Sequence, residues 1–263
     1  MRNVGTIVRG IRTPIIKEGC DLASIVVDSV IKASKTENFE FEDRDVIAIT
    51  EAVVGISEGN FATLDQISKD IKNKLNNSEH IGVVFPILSR NRFAVLLSSI
   101  ARSTKKITLL SSYPSDEVGN DILYKEDLVK YNINPSRDLI TEEEYKEKFI
   151  RFKHMFTGVN MYEVYRDLVL KEGCEFEMVF SNNPEDILNY TKDVIVSDIH
   201  TRFETKKRIL DKDNNAHVIM LSEILNESVD GSGYSPYGLL GSNRSTEDRV
   251  KLFPRTGDKL VLR

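Results

Sequence analysis

IGVVFPILSRNRFAVLLSSIARSTKKITLLSS, residues 81–112, is written in three phrases. Ile81 to Ile87 is a continuous apolar run, too short for a helix and apolar on both faces. It predicts a strand buried on both sides. Ser89 follows as a candidate N-cap, and Phe93, Leu96, Leu97 and Ile100 recur at helical spacing. Ile107 to Ser112 is a second apolar run. Apolar strand, helix and apolar strand at this spacing predict a βαβ unit with parallel strands.

The same alternation resumes further along. A helix is expected from Met161 to about Lys171, closed by Gly173. A strand at Glu175–Phe180 and a short helix opening at Pro184 come next. Val194–Ser197 reads as a strand, Thr205–Leu210 as a helix and Val218–Leu221 as a last strand. Residues 79–228 therefore form a central α/β region with a largely parallel sheet. Within it, 116–157 is a charged excursion with one helix near Glu142–Phe152, and its length suggests a lid or interface.

Residues 1–78 form an N-terminal α+β unit. Val4–Val8 reads as a strand. Asp21 is a candidate cap for a helix over Leu22 to Lys35, with an apolar stripe of Leu22, Ile25, Val26, Val30 and Ala33. Asp45–Thr50 reads as a buried strand, Glu58-Gly59-Asn60 as a turn, and Thr63–Gln66 as a capping box. Residues 229–263 hold a glycine-rich loop and a short helix expected near Thr246–Phe253, stopped by Pro254. GDKLVLR looks like the start of another element, as in a chain cut before a domain end. The overall expectation is α+β or mixed α/β.

Composition narrows the function classes. Hydrophobic residues are 40% and charged residues 29% of 263, a soluble globular mixture. A net charge of −5 argues against a global nucleic-acid or anionic-membrane binder. No apolar run approaches the roughly 20 residues that span a bilayer, and the N-terminus has no apolar signal region. Cys20 and Cys174 are the only cysteines. Two thiols without a secretion signal point to a reduced, cytoplasmic protein. Neither CxxC nor HExxH occurs, which excludes the usual closed zinc motifs.

Candidate site residues gather where predicted strands end, the edge at which open α/β sheets bind ligands. Thr50-Glu51 ends one strand; its hydroxyl suits a phosphate oxygen and its carboxylate a metal or ribose. Asp116, Glu117 and Asn120 follow another; two carboxylates with an amide suit a hard cation, although the residues by themselves favour a solvated turn. Asp198, His200 and Arg202 follow a third, with metal-binding, proton-transfer and phosphate-clamping chemistry open to them beside a purely structural role. Asn182-Asn183-Pro184 is a rival loop. Arg90 and Arg92 lie near a helix start. Thr13, Pro14, Ile15 and Ile16 form a stiff turn that either receives a phosphate or simply connects two elements. Gly241, Ser242 and Asn243 lie in the glycine-rich loop, which reads as a phosphate cradle or a flap.

Thr13–Ile16, Gly19, Asp21, Thr50-Glu51 and Glu58-Gly59 stand in an order that resembles the opening of the coenzyme F(420) gamma-glutamyl ligases. The resemblance implies an amide-forming enzyme that uses GTP or ATP with Mg2+ or Mn2+. It implies nucleotide contacts at Thr13, Pro14, Ile15, Ile16, Thr50, Glu51, Asn120, Gly241, Ser242 and Asn243. Metal contacts are implied at Asp116 and Asp198, Asn120 lying one residue further from Asp116 than in the family. It implies glutamate or a similar amine and a small carboxylate acceptor as substrates, and a homodimer with the site near the subunit boundary. The chain departs from the family at Ala52, where a lysine is usual, at Ile199, where a threonine is usual, and in the βαβ unit, where an antiparallel hairpin is usual. These departures suggest a divergent bacterial branch. The competing expectation is a non-catalytic nucleotide- or metabolite-binding protein derived from the ligase fold.

Overall fold

The computed structural model describes residues 5–255. Its centre is a five-stranded parallel sheet of β2 (His80–Val84), β3 (Lys106–Ser111), β4 (Glu175–Phe180), β5 (Asp193–Val196) and β6 (His217–Met220), in the order β4-β3-β2-β5-β6. The mixed α/β expectation holds, and so does the parallel pairing. Alternate side chains divide between two cores, as strand geometry requires. Ile81, Val83, Ile107, Leu109, Met178, Phe180, Ile195 and Ile219 face one core. Helices α3 (Leu64–Lys74), α4 (Phe93–Ala101) and α7 (Met161–Lys171) cover that face. Val84, Leu110, Val179, Val194, Val196, Val218 and Met220 face the other, against Ile187 of the 3-10 helix Pro184–Asn189 and Ile209 of α8 (Arg202–Lys212).

The chain winds from β2 outward through β3 to β4, then crosses back over β2 to build β5 and β6. The order reverses between β2 and β5. In a doubly wound sheet that reversal opens a crevice at the carboxyl ends of the strands.

A second sheet is small and antiparallel: β1 (Phe61–Thr63), β8 (Arg249–Lys251) and β7 (Asn243–Arg244), in the order β1-β8-β7. It joins the N-terminal unit to the tail. Asn60 reinforces the junction: its side-chain amide donates to Tyr234 O at 2.8 Å and Phe253 O at 2.6 Å, and its carbonyl accepts from Tyr234 N at 3.0 Å.

Local signals were read correctly where one short segment contains them. Asp21 caps α1 (Leu22–Glu37) by accepting from Ser24 N at 3.1 Å. Thr63 and Gln66 form both halves of the capping box on α3. Four expectations are corrected. Asp45–Thr50 is irregular and exposed, with Val46 86% accessible, because it pairs with no strand and its apolar side chains enter neither core. Residues 5–8 of the expected Val4–Val8 strand are likewise irregular and exposed, and Val4 lies outside the described residues. Residues 246–253 turn back as the β7–β8 hairpin, not a helix; Ser245 N and Thr246 N both donate to Arg249 O, closing the turn. Helix α4 starts at Phe93 rather than Ser89, although Ser89 Oγ does accept from Arg92 N at 3.2 Å.

The excursion is core as well as cover. It contains α5 (Lys125–Lys130) and α6 (Glu142–Lys148), and Ile122, Leu123, Ile140, Tyr145 and Phe149 are buried in the main core. Tyr145 stacks on Phe180 with ring centroids 4.4 Å apart. Glu51–Ser57 forms another helix, α2, that the β-branched sequence AVVGIS hid; packing against β8 overrides its weak propensity.

Gly82 shows how tightly the second core is fitted. A Cβ at this position would lie 2.5 Å from Ile187 Cγ1 and 3.0 Å from Thr191 Cγ2. Gly82→Ala should therefore destabilise the chain by about 1–3 kcal/mol through overpacking. Denaturant unfolding measures this; an unchanged midpoint would show that the 3-10 helix is free to move away.

Candidate functional site

Three loops meet at the carboxyl edge of the parallel sheet, following β2, β3 and β5. Asp116, in the loop after β3, is buried and fully engaged. Its Oδ2 accepts from Leu88 N at 2.8 Å and Asn120 Nδ2 at 2.7 Å. Its Oδ1 accepts from Val118 N at 3.0 Å and Asn120 N at 2.8 Å. The bond to Leu88 ties the loop after β3 to the loop after β2. Glu117 reaches the other way: Oε1 accepts from Ile199 N at 2.6 Å and Oε2 from His200 N at 3.1 Å. Two adjacent acids thus fasten three strand ends together.

Asp198 sits where β5 ends and is 1% exposed. Its Oδ2 accepts from Thr201 Oγ1 at 2.6 Å and Thr205 Oγ1 at 3.1 Å, which anchors the first turn of α8. Its Oδ1 has no hydrogen-bond partner, and neither has the buried Ser197 Oγ. Burial raises the Asp198 carboxyl above the ordinary carboxylate range, against the two threonine bonds and Asp198's own backbone N–H, and the charge of Glu117 adds to the rise. A buried carboxylate with one empty oxygen and a second acid nearby suits a hard cation, which usually takes one or two carboxylates. Asp116 fits that role poorly in this conformation because all four of its hydrogen bonds would compete. Among the described residues, no group of three or more His, Cys, Asp or Glu side chains is arranged to hold a metal ion.

Other candidates resolve individually. His200 is exposed. Arg202 donates to Ile199 O and lies over Phe203, with its guanidinium carbon 4.5 Å from the ring centroid; it braces its own turn. Asn182 is consumed by Tyr113 and Pro135, so the rival loop is structural. Asn120 lines a small pocket with Leu88, Ser89, Arg90, His154 and Met161, while its side-chain nitrogen is held by Asp116.

The remaining residues form two further groups. Ser242 and Asn243 stand at the start of the β7–β8 hairpin, and Glu51 opens α2, which packs on β8. Arg244 N donates to Asn91 O at 3.2 Å, so this hairpin reaches the loop after β2. Gly241 turns the chain into β7 with φ +71°. Thr13, Pro14 and Ile15 are exposed coil and Ile16 is half-buried; Thr13 and Pro14 line an open groove with Asp28, Lys32 and Phe39. No hydrogen bond or ion pair among the described residues joins Thr13–Ile16 to the other two groups. Sequence reasoning missed Lys251, a buried lysine in β8.

No helix among the described residues is long and apolar enough to cross a membrane. No curated protein and no solved structure matches the chain. Residues 10–263, almost its full length, match the family described as F420-0:Gamma-glutamyl ligase. The resemblance first read from Thr13 to Gly59 thus extends through the acidic loops at the sheet edge, and the chain belongs to the F420-0:gamma-glutamyl ligase family.

Proposed function

We propose that this chain is a cytoplasmic ligase that joins the amine of glutamate, or of a similar compound, to a small carboxylate acceptor. GTP or ATP is the phosphoryl donor and Mg2+ or Mn2+ the cofactor. An acceptor carboxylate oxygen attacks the terminal phosphorus and a nucleoside diphosphate leaves. The amine nitrogen then attacks the acyl carbon of the acyl phosphate, inorganic phosphate departs, and the nitrogen loses a proton.

The observation that carries this reading, beside family membership, is the unsatisfied Asp198 Oδ1 at the strand-order reversal, with Glu117 beside it. Asp198 and Glu117 are the side chains that would hold the ion. Asp116 keeps the loop closed and Glu117 aimed at the Asp198 turn. When bound, a divalent ion supplies neutralisation of phosphate charge. The loop after β2 and the hairpin supply positioning, which dominates phosphoryl transfer.

Ala52 in place of the family lysine favours the second reading, a nucleotide-binding protein without turnover. Incubation with GTP or ATP, Mn2+, glutamate and candidate carboxylates decides between them. Acceptor-dependent phosphate release is expected; tight nucleotide binding without release would establish the second reading. Asp198→Asn should lower turnover by about 100-fold or more, in line with loss of a charge-stabilising group. It should also raise Tm in the absence of metal, since an uncompensated buried charge is removed, and abolish any Mn2+-induced rise. A Mn2+ shift that survives the substitution would exclude Asp198 as a ligand.

Glu117→Ala removes the tie between two strand ends. Hydrogen exchange at Ile199 and His200 should quicken, whereas exchange at Leu88, held by Asp116, should not. Equal protection at Ile199 in both proteins would show that Glu117 does not hold this turn.

A homodimer completes the proposal. Ile7, Val8, Ile15, Val46 and Ile47 are exposed on the N-terminal segments, and Val27 and Ile31 on α1, an apolar surface suited to a second subunit. Light scattering should give twice the 29.9 kDa chain mass. Val46→Asp with Ile47→Asp should shift the population to monomer; a monomeric native protein would refute this part.

A further inference from the structure

Lys251 is 4% exposed, and its Nζ has no hydrogen-bond partner. It lies in β8, the central strand of the small sheet, opposite Phe61 on one side and Asn243 on the other. Its stem runs along α2: a Cβ on Gly55 would stand 3.4 Å from Lys251 Cδ and 3.8 Å from Cγ. Among the charged groups, Glu51 favours its charged form and Arg92 opposes it. Arg92 is exposed and Glu51 half-buried. The Arg244–Asn91 bond holds the hairpin against the loop that carries Arg92. Ser242, the residue before Asn243, is also buried with a partnerless hydroxyl.

An ammonium removed from water without a partner costs several kcal/mol. A purely structural lysine would snorkel outward or meet a carboxylate at hydrogen-bond distance. We propose that Lys251 is the anchor of an anion seat for a phosphate group, with Arg92 as the outer cation and Glu51 as the acid that an entering phosphate displaces. Two cations, one from a strand and one from a loop, match a multiply charged phosphate better than the single charge of a carboxylate. Burial also lowers the ammonium's pKa, and a bound phosphate would restore its charge. The seat stands on the hairpin geometry; only the identification of the phosphate with that of a nucleotide rests on the ligase reading.

Calorimetric titration of the full chain with inorganic tripolyphosphate, GTP and glutamate tests it. Lys251→Met should weaken tripolyphosphate and GTP binding by about 10–100-fold, the worth of one charged hydrogen bond, and leave glutamate binding unchanged. Without ligand its Tm should equal or exceed that of the native protein. Arg92→Gln, at an exposed position that does not endanger folding, should weaken tripolyphosphate by about 3–10-fold. Lys251→Arg should retain part of the affinity. The proposal is overturned if the native chain does not bind tripolyphosphate, or if Lys251→Met and Arg92→Gln bind it as the native chain does. It is also overturned if Lys251→Met loses glutamate affinity instead, or if it and Glu51→Gln lower Tm alike, as a structural ion pair would. Undiminished turnover in Lys251→Met sinks the anchor and leaves the ligase standing. Lys251-dependent tripolyphosphate binding without acceptor-dependent turnover by the native chain does the reverse.

Discussion

Parallel strands end in loops that have no covalent reason to stay together. Here the restraint is a pair of neighbouring acids. Asp116 draws in an amide from the loop after β2, and Glu117 draws in two from the loop after β5. Both arise from the loop after β3, and β2 lies between β3 and β5 in the sheet. Each acid satisfies backbone donors that would otherwise need water, which is why a carboxylate does this better than a neutral side chain. The carboxyl edge of the sheet at the strand-order reversal is held together by these bonds. Asp198, already fixed by Thr201 at the N-cap of α8 and by Thr205 within it, stands at the same edge.

Residue types alone do not separate these acids. Asp116 and Asp198 both follow apolar strands, and both are suitable cation ligands by chemistry. What separates them is non-local. The saturation of Asp116 needs Leu88, 28 residues away, whereas Asp198 keeps one oxygen without a partner. Glu117 looks like an ordinary solvated acid in the sequence, and its role depends on a turn 82 residues further on.

The same distinction runs through the fold. The βαβ alternation was legible because a strand buried on both faces must be apolar throughout, and a helix on a sheet must show a stripe. Capping residues were legible because cap and helix are contiguous. DVIAIT at 45–50 has strand composition, but it pairs with no strand of either sheet. Residues 246–253 have helix-start residues, but Val250 and Leu252 have a core to enter only when β8 pairs with β1. Pairing partners distant in sequence decide both cases, and a local propensity cannot supply them.

Lys251 escapes a sequence reading for a related reason. In an edge or surface strand, RVKLF would bury Val and Leu and leave Lys in water. As a central strand, β8 is covered on both sides of the ladder, and α2 closes over one face, so the alternation no longer separates wet from dry. Gly55 permits this closeness: any side chain there would meet Leu252 O at 2.7 Å and crowd the lysine stem. Glycine in the middle of α2 costs helix stability, roughly 0.5–1 kcal/mol relative to alanine. Packing of the helix on β8 offsets that cost. The short helix and the C-terminal hairpin therefore act as one unit. Asn60 locks that unit from behind, and the Arg244–Asn91 bond joins it to the loop whose other end, at Leu88, is held by Asp116. A single loop, 88–92, thus connects the acidic edge of the large sheet to the basic interior of the small one.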